Sequence, residues 1–284
     1  MGKFSTRTAG SIVRKLGKVT RKLVRLDHDK ILNALSSFGQ NQSEMLLVHS
    51  SLSACGYIDG GPETVVKALR SWIPQSTLLA MPTHTWSYPT PLDAAPLFDA
   101  QATPSLVGAI TDFFWRQPEV VRSLHPSHSL ACHGVGADEF CENHELHETP
   151  CGAGTPYKVM VETNTSVLMF GATLDSYTLF HTAEDAAQLP YLYLPEKMML
   201  RTKRLDGAVI EVPSWRQNMA IARRFSETVD WLEQENLLQR RKLGKGELLF
   251  IPRADRVHDE VVKQLRNDPM FLIASSERER AVLV

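Results

Sequence analysis

The sequence of 284 residues lacks most of the features that are typical of secreted, membrane-spanning or metal-stabilised proteins. It has four cysteines and no C-x-x-C pair, so free thiols are expected rather than a disulfide framework. No apolar run approaches the roughly 20 residues of a membrane-spanning helix, and the N-terminus lacks the apolar stretch of a signal peptide. We therefore expect a cytoplasmic protein.

Three common enzyme motifs are also missing. The chain contains no G-x-S-x-G, no G-x-x-x-x-G-K-[ST] and no G-x-G-x-x-G segment, which argues against serine hydrolases, P-loop kinases and dinucleotide-binding dehydrogenases. Residues 241–246, RKLGKG, fit the R-x-x-G-x-G loop of the general N-acetyltransferase superfamily. Three fixed positions in six residues arise easily by chance, so this match assigns nothing.

Acidic side chains are absent from the first 26 residues, which carry eight basic ones. The rest of the chain holds 23 basic and 32 acidic residues, a net charge of −9. This acidic part of the chain is not expected to bind nucleic acid, because phosphate groups are bound by Lys and Arg side chains. Its negative charge favours a cationic substrate. Residues 10–26 predict an amphipathic basic helix that either packs on the protein or makes a peripheral contact with an anionic membrane.

Apolar runs alternate with helix-period segments through the rest of the chain. We predict strands at 45–50, 77–82, 129–134, 167–172 and 247–251, a hairpin at 196–212, and helices beginning at Pro62 and spanning 105–117, 216–238 and 255–265. The fold class is therefore α/β, a mixed α+β sheet with flanking helices. We expect an N-terminal helix in residues 1–28 and a single domain in 29–284, with a helical and hairpin subdomain around 190–240.

The segment GATLDSYTLFHTAED, residues 171–185, carries the most informative chemistry. If a helix begins near Thr178, then His181, Glu184 and Asp185 share one face just beyond a strand end. A histidine oriented by a carboxylate is a credible general base. The alternative is an ordinary surface pair, and a metal site would need further ligands.

Three weaker clusters remain open. Arg122 and Ser123 could bind a phosphate, or simply belong to an ordinary turn. Ser50 and Ser51 follow a strand and precede a Gly-rich turn, a placement that suits anionic ligands. A zinc site could be drawn from residues whose spacing fits no standard ligand pattern: Cys132, His133, His144, His147 and Cys151.

Taken in order, six segments resemble the aminoglycoside 3-N-acetyltransferases, the antibiotic acetyltransferase family. They cover residues from about 30 to 275 and are LLVHSSLSACGYIDGGPETVVKAL (46–69), TLLAMPTHTW (77–86), TPSLVGAITDFFWRQPEVVRSLHPSHSLACHG (103–134), GAGTP (152–156), VLMFGATLDSYTLFHTAED (167–185) and LGKGELLFIPRADRVHDEVVKQLRNDPMFL (243–272). The resemblance implies the antibiotic acetyltransferase fold, not that of the general N-acetyltransferase superfamily.

The resemblance also implies a reaction: acetyl transfer from acetyl-coenzyme A to the 3-amino group of the 2-deoxystreptamine ring of an aminoglycoside, without a metal. His181 matches the general base, Glu184 would orient it or hold the amine, and Thr178 could donate to the thioester oxygen. The segments that resemble coenzyme-binding loops contain Ser50, Ser51, Leu52, Arg122 and Ser123. The acceptor side would be lined by carboxylates, with Asp93, Asp99, Glu145 and Asp185 as candidates.

Some positions depart from the family pattern. Tyr177 replaces a typical asparagine, and Asn143-His144-Glu145 stands where an Asp-His-Pro run is usual. These departures leave the acceptor open: another amino sugar or a biosynthetic amine is an alternative. A non-catalytic relative that binds a cationic ligand, or a membrane through residues 10–26, is a further alternative, and a homodimer is compatible with the sequence.

Overall fold

The computed structural model describes residues 25–85, 97–218 and 220–278. The strands are β1 Arg25–Leu26, β2 Met45–Ser50, β3 Tyr57–Ile58, β4 Leu78–Pro82, β5 Phe98–Asp99, β6 Val120–Arg122, β7 Leu130–His133, β8 Thr165–Phe170, β9 Tyr193–Lys203, β10 Val209–Gln217, β11 Gln239–Leu243 and β12 Gly246–Ile251. The α-helices are α1 His28–Ser36, α2 Pro62–Trp72, α3 Ala109–Phe114, α4 Ala137–Cys141, α5 Pro156–Met160, α6 Phe180–Ala186, α7 Val229–Gln234 and α8 Ala254–Asn267.

The main sheet has seven strands in the order β11-β12-β8-β2-β4-β7-β6. Its centre, β8-β2-β4, is parallel, whereas β12 and β7 pair antiparallel with β8 and β4. The central strands are continuous apolar runs because helices cover both faces. The predicted mixed α+β sheet with flanking helices is thereby confirmed.

Side-chain alternation along β2 divides the core in two. Leu46 and Val48 pack with α1, α2 and α3 on one face of the sheet. Leu47 packs with α5, α6 and α8 on the other face. By the same alternation His49 continues the Leu47 face, so it points toward the side of the sheet that carries α6.

A second sheet has the order β10-β9-β5. Its β9/β10 hairpin confirms the hairpin predicted at 196–212 and extends it at both ends. A small apolar cluster of Met198, Leu200 and Val212 lies on one face of the hairpin. The far end of β10 reaches the carboxyl edge of the main sheet, where Trp215, Arg216 and Gln217 become part of a cavity wall.

The helix predicted at 216–238 is wrong. The first two of these residues belong to β10, because Ser214 and Trp215 pair with Met198 and Lys197 and the strand runs on to Gln217. Tertiary pairing here overrides helical preference. Only a 3₁₀ turn at Phe225–Thr228 and the short α7 follow. The helix predicted at 105–117 is similarly shortened to α3, which begins after Gly108 with φ +127°.

The basic helix predicted at 10–26 lies almost entirely outside the described residues. Its last two residues, Arg25 and Leu26, are not helical but form β1, which pairs with β3. The division of the chain at residue 28 and the subdomain around 190–240 stay predictions. Within the three described ranges, no helix is both long and apolar enough to cross a membrane.

Two other sequence features are resolved by the fold. RKLGKG, residues 241–246, spans the end of β11, the turn at Gly244 and Lys245, and the start of β12, so it opens no helix. All four cysteines are buried free thiols, as expected. Across the part of the chain that the structure describes, no three His, Cys, Asp or Glu side chains gather as metal ligands, so the zinc alternative through Cys132 and Cys151 does not form.

Candidate active site

A cavity of about 290 Å³ opens at the carboxyl ends of β2 and β4. His49 and Ser50 of β2, His84 beyond β4 and His181 of α6 line it, and the β9/β10 hairpin closes the opposite side. In parallel sheets this edge is where ligands bind, because strand ends and loops leave room there. The cavity is therefore the candidate active site.

His181 belongs to a chain of three polar side chains, of which Glu184 is fully buried. Its Nδ1 lies 2.6 Å from Oε2 of Glu184, one helical turn on, and Oε1 of Glu184 accepts from Arg223 Nε at 3.1 Å. Arg223 Nη1 donates to the carbonyls of Asn218 and Ile221 at 2.5 and 2.7 Å. A carboxylate only accepts hydrogen bonds, so Nδ1 of His181 carries the proton and Nε2 is left with a lone pair.

The charge of Glu184 is compensated inside the protein. The side chain is 0% exposed, and the Arg223 side chain is 8% exposed. Burial alone would raise the pKa of Glu184, but hydrogen bonds and charges from His181 and Arg223 outweigh it and keep that pKa below its usual value. Glu184 is thus held as an anion that fixes the orientation of the imidazole.

The other cavity histidines are neutral. Burial, with a contribution from His84, lowers the pKa of His49 to about 3. Burial and the charge of His181 lower the pKa of His84 to about 4, and the pKa of His128 also falls well below its usual value, chiefly through burial. These imidazoles can exchange hydrogen bonds with a ligand at neutral pH, but they bring no positive charge to the cavity.

A larger open groove of about 950 Å³ adjoins the cavity. It contains the predicted coenzyme residues Ser50, Ser51 and Leu52, and it passes the segments 106–109 and 171–173. Ser50, Val107 and Ser176 line both the groove and the cavity. A long ligand in the groove can therefore place one end beside His181.

The family model described as aminoglycoside 3-N-acetyltransferase matches residues 47–266, more than three quarters of the chain. The chain belongs to this family. Aminoglycoside N(3)-acetyltransferase IV from Salmonella sp is 28% identical over 248 residues, which cover 87% of this chain and 90% of that relative.

Two solved structures share the fold. Aminoglycoside acetyltransferase AAC(3)-IVa in complex with a gentamicin is 25% identical, with a TM-score of 0.75 over 90% of this chain and 94% of that one. AAC-IIIb in a binary complex with CoASH is 22% identical, with a TM-score of 0.75 over 86% of this chain and 97% of that one. The predicted antibiotic acetyltransferase fold is confirmed.

Two of the predicted coenzyme ligands, Arg122 and Ser123, are buried and hydrogen-bonded within the protein. Arg122 is buried, and its guanidinium donates to the carbonyls of Thr83 at 3.0 Å and Thr103 at 2.5 Å. Burial lowers its pKa to about 10. Ser123 is buried against His144, with 2.9 Å between its hydroxyl and Nδ1. Arg122 and Ser123 thus line neither the cavity nor the groove, and their role in binding the coenzyme stays a prediction.

Three of the predicted acceptor carboxylates do not line the cavity. Asp99 accepts from Lys203 at 3.0 Å, and Glu145 from Arg204 at 3.1 Å. Asp185 accepts from the Tyr193 hydroxyl at 2.8 Å. None of the three lines the cavity, and Asp93 lies outside the described residues.

Among the cavity-lining residues that the structure describes, Asp175 is the one carboxylate. Thr178 also lines the cavity, and its carbonyl accepts from the backbone N–H of His181. The sequence did not predict a role at the site for Arg223, His49, His84 or Trp215. Only the apolar run that ends in His49 carried a signal for any of them, since it placed that residue at a strand end.

Proposed function

We propose that this chain transfers the acetyl group of acetyl-coenzyme A to an amino group, with His181 as general base and the 3-amino group of an aminoglycoside as acceptor. The single observation that supports this most is the His181–Glu184–Arg223 chain, which opens into a cavity that joins the groove. A base at that junction can meet an amine and a thioester together.

The chemistry follows from the free nitrogen of His181. An alkylammonium has no lone pair, so it must lose a proton before it attacks. Nε2 of His181 takes that proton, while Nδ1–H remains bonded to Glu184 and the anion stabilises the imidazolium. The amine nitrogen then bonds to the thioester carbon and gives a tetrahedral oxyanion, which collapses as the C–S bond breaks. The surplus proton on the nitrogen passes to the leaving thiolate and gives the thiol, and His181 releases its own proton to solvent. Thr178 is proposed to donate to the developing oxyanion.

The groove supports the choice of donor. Coenzyme A is long enough to need an extended site, and the groove leads from Ser51 and Leu52 to Ser50, which also lines the cavity. The CoASH complex of AAC-IIIb supports the same donor for a protein of this fold. Backbone N–H groups and serine hydroxyls, rather than Arg122, would face the coenzyme phosphates.

A second candidate acceptor is a smaller amino sugar. A polycationic aminoglycoside is expected to meet several carboxylates. In the described part of the cavity wall an aminoglycoside would meet one carboxylate, Asp175. Asp99, Glu145 and Asp185 are hydrogen-bonded to other side chains of the protein. This observation favours an acceptor with one amine and several hydroxyl groups.

An acceptor panel tests the proposal. Thiol release from acetyl-coenzyme A is measured with gentamicin, apramycin, neamine and glucosamine, and NMR of each product locates the new amide. We expect turnover with at least one amine and loss of this turnover in His181→Ala. The control His133→Ala should keep full turnover, since His133 lies at the opposite edge of the sheet. Absence of calorimetric heat with acetyl-coenzyme A would instead indicate a non-catalytic binding protein.

A further inference from the structure

Two deeply buried side chains in the cavity wall each have a polar atom without a partner among the described residues. His49 is 4% exposed and Tyr177 is 1% exposed, and both line the cavity. Within residues 25–85, 97–218 and 220–278, Nε2 of His49 and the hydroxyl of Tyr177 find no hydrogen-bond partner. An unpartnered buried polar atom costs free energy, so such atoms at a cavity wall indicate a ligand that bonds them.

The rings of the two residues lie side by side, with centroids 6.2 Å apart. Tyr177 is fixed by an edge contact with Phe180 at 4.7 Å, and His49 is fixed by its place in β2. The two polar atoms are therefore held by the core and the sheet rather than by a mobile loop. A site built this way is preorganised for one small group.

Both groups are neutral, which restricts the ligand. Burial and His84 lower the pKa of His49 to about 3, and burial and Asp255 raise the pKa of Tyr177 far above neutrality. Neither group can balance a buried ammonium or carboxylate. A hydroxyl group fits, because it donates one hydrogen bond and accepts another, as a phenol and an imidazole also can.

The position of the pair separates the acceptor from the coenzyme. Ser50 and Ser176 line both the groove and the cavity, whereas His49 and Tyr177 line the cavity alone. A group that reaches this wall therefore belongs to the molecule that fills the cavity.

On the proposed function, we infer that His49 and Tyr177 form a subsite that binds a hydroxyl group of the acceptor sugar while its amine faces His181. The acceptor class is thus a hydroxylated amino sugar or an aminoglycoside ring with a free hydroxyl group. The subsite selects among acceptors and takes no part in the proton transfer.

The test combines one variant with one missing hydroxyl. Initial rates are measured for wild type and Tyr177→Phe with glucosamine, neamine and their single-deoxy analogues. Tyr177→Phe keeps the ring packed on Phe180 and removes only the phenolic oxygen. We expect about a tenfold loss of kcat/KM with the parent acceptor, and less than a twofold loss with the one analogue that lacks the bound hydroxyl group.

Binding supplies a second readout. Calorimetry with the same acceptors in the presence of coenzyme A, which cannot transfer acetyl, should give the same pattern in Kd. His49→Phe should repeat it, since it also keeps a ring. Tyr191→Phe is the matched control, because its hydroxyl donates to the Pro269 carbonyl away from the cavity. It should change neither quantity.

Two results would overturn the subsite. Equal losses of kcat/KM with parent and deoxy acceptors would mean that the Tyr177 hydroxyl contacts the coenzyme or supports folding. No loss at all would mean that the hydroxyl bonds only to water. Failure of the proposed function looks different: wild type would transfer acetyl to no acceptor in the panel. The calorimetric comparison would still test the subsite in that case.

Discussion

Replacing Arg223 should destabilise the protein much more than replacing its neighbour in sequence. Arg223→Met removes the buried cation from Glu184, whose side chain is 0% exposed, and leaves that carboxylate with His181 alone. Breaking a buried ion pair by removing one partner costs about 3–5 kcal/mol. We therefore expect a loss of this size in the free energy of unfolding at pH 7.5.

The pH dependence of this loss has a definite sign. In wild type the pKa of Glu184 lies below its unfolded value, so its stabilising contribution is present above that value and is lost as the pH falls through the folded pKa. Without Arg223, burial is less opposed and the pKa of Glu184 rises. Protonation then relieves the variant, and the difference from wild type should shrink between pH 7.5 and pH 5.5.

Urea unfolding followed by circular dichroism measures these differences. Arg224→Met is the matched control. That side chain is 26% exposed, its ion-pair partner Glu227 is 68% exposed, and its Nε donates to the Phe271 carbonyl at 2.7 Å, so about 1–2 kcal/mol is expected. The double variant Arg223→Met/Glu184→Gln should cost at least about 2 kcal/mol less than the sum of the singles. Additive costs, or a loss no larger than that of Arg224→Met, would refute a compensated buried charge.

Three further predictions follow from burial and close contacts. Five histidines are buried as neutral groups and gain a proton on unfolding as the pH falls: His49, His84, His125, His128 and His144. The free energy of unfolding should therefore fall by about 1 kcal/mol for each, or about 5 kcal/mol in all, between pH 7.5 and pH 5.5. A urea midpoint that does not change over this range would contradict this prediction. Gly171→Ala should lose at least about 1 kcal/mol and bind coenzyme A less tightly, because φ is +67° and a Cβ would lie 2.8 Å from the Ser51 carbonyl; an unchanged calorimetric Kd would argue against the groove. Arg122→Lys should cost about 2 kcal/mol in urea unfolding through lost carbonyl contacts, yet change the Kd of coenzyme A less than twofold.

Local patterns predicted the five central strands of the main sheet and one half of the candidate site. MLLVHS is a continuous apolar run bounded by polar residues, and β2 spans those same residues. His181 and Glu184 are three apart on a helix, so their 2.6 Å contact follows from helical geometry alone. Such features need no knowledge of the rest of the chain.

Contacts between distant segments could not be predicted in the same way. Arg223 reaches Glu184 across 39 residues, and Lys203 reaches Asp99 across 104. A sequence does not show whether a charged side chain meets a ligand or a partner within the fold, so the contacts of Arg122 with backbone carbonyls could not be predicted. The strand at 209–217 was misjudged where its pairing with β9, rather than local propensity, sets the backbone.

Single-turnover acetyl transfer by His181→Ala tests the central claim most directly. The enzyme is mixed in excess with acetyl-coenzyme A and the best acceptor of the panel, and calorimetry gives the Kd of coenzyme A for both proteins. A general base contributes about 10²- to 10⁴-fold, so the transfer rate should fall by that factor with an unchanged Kd. A transfer rate within tenfold of wild type would contradict the role of His181 as the base.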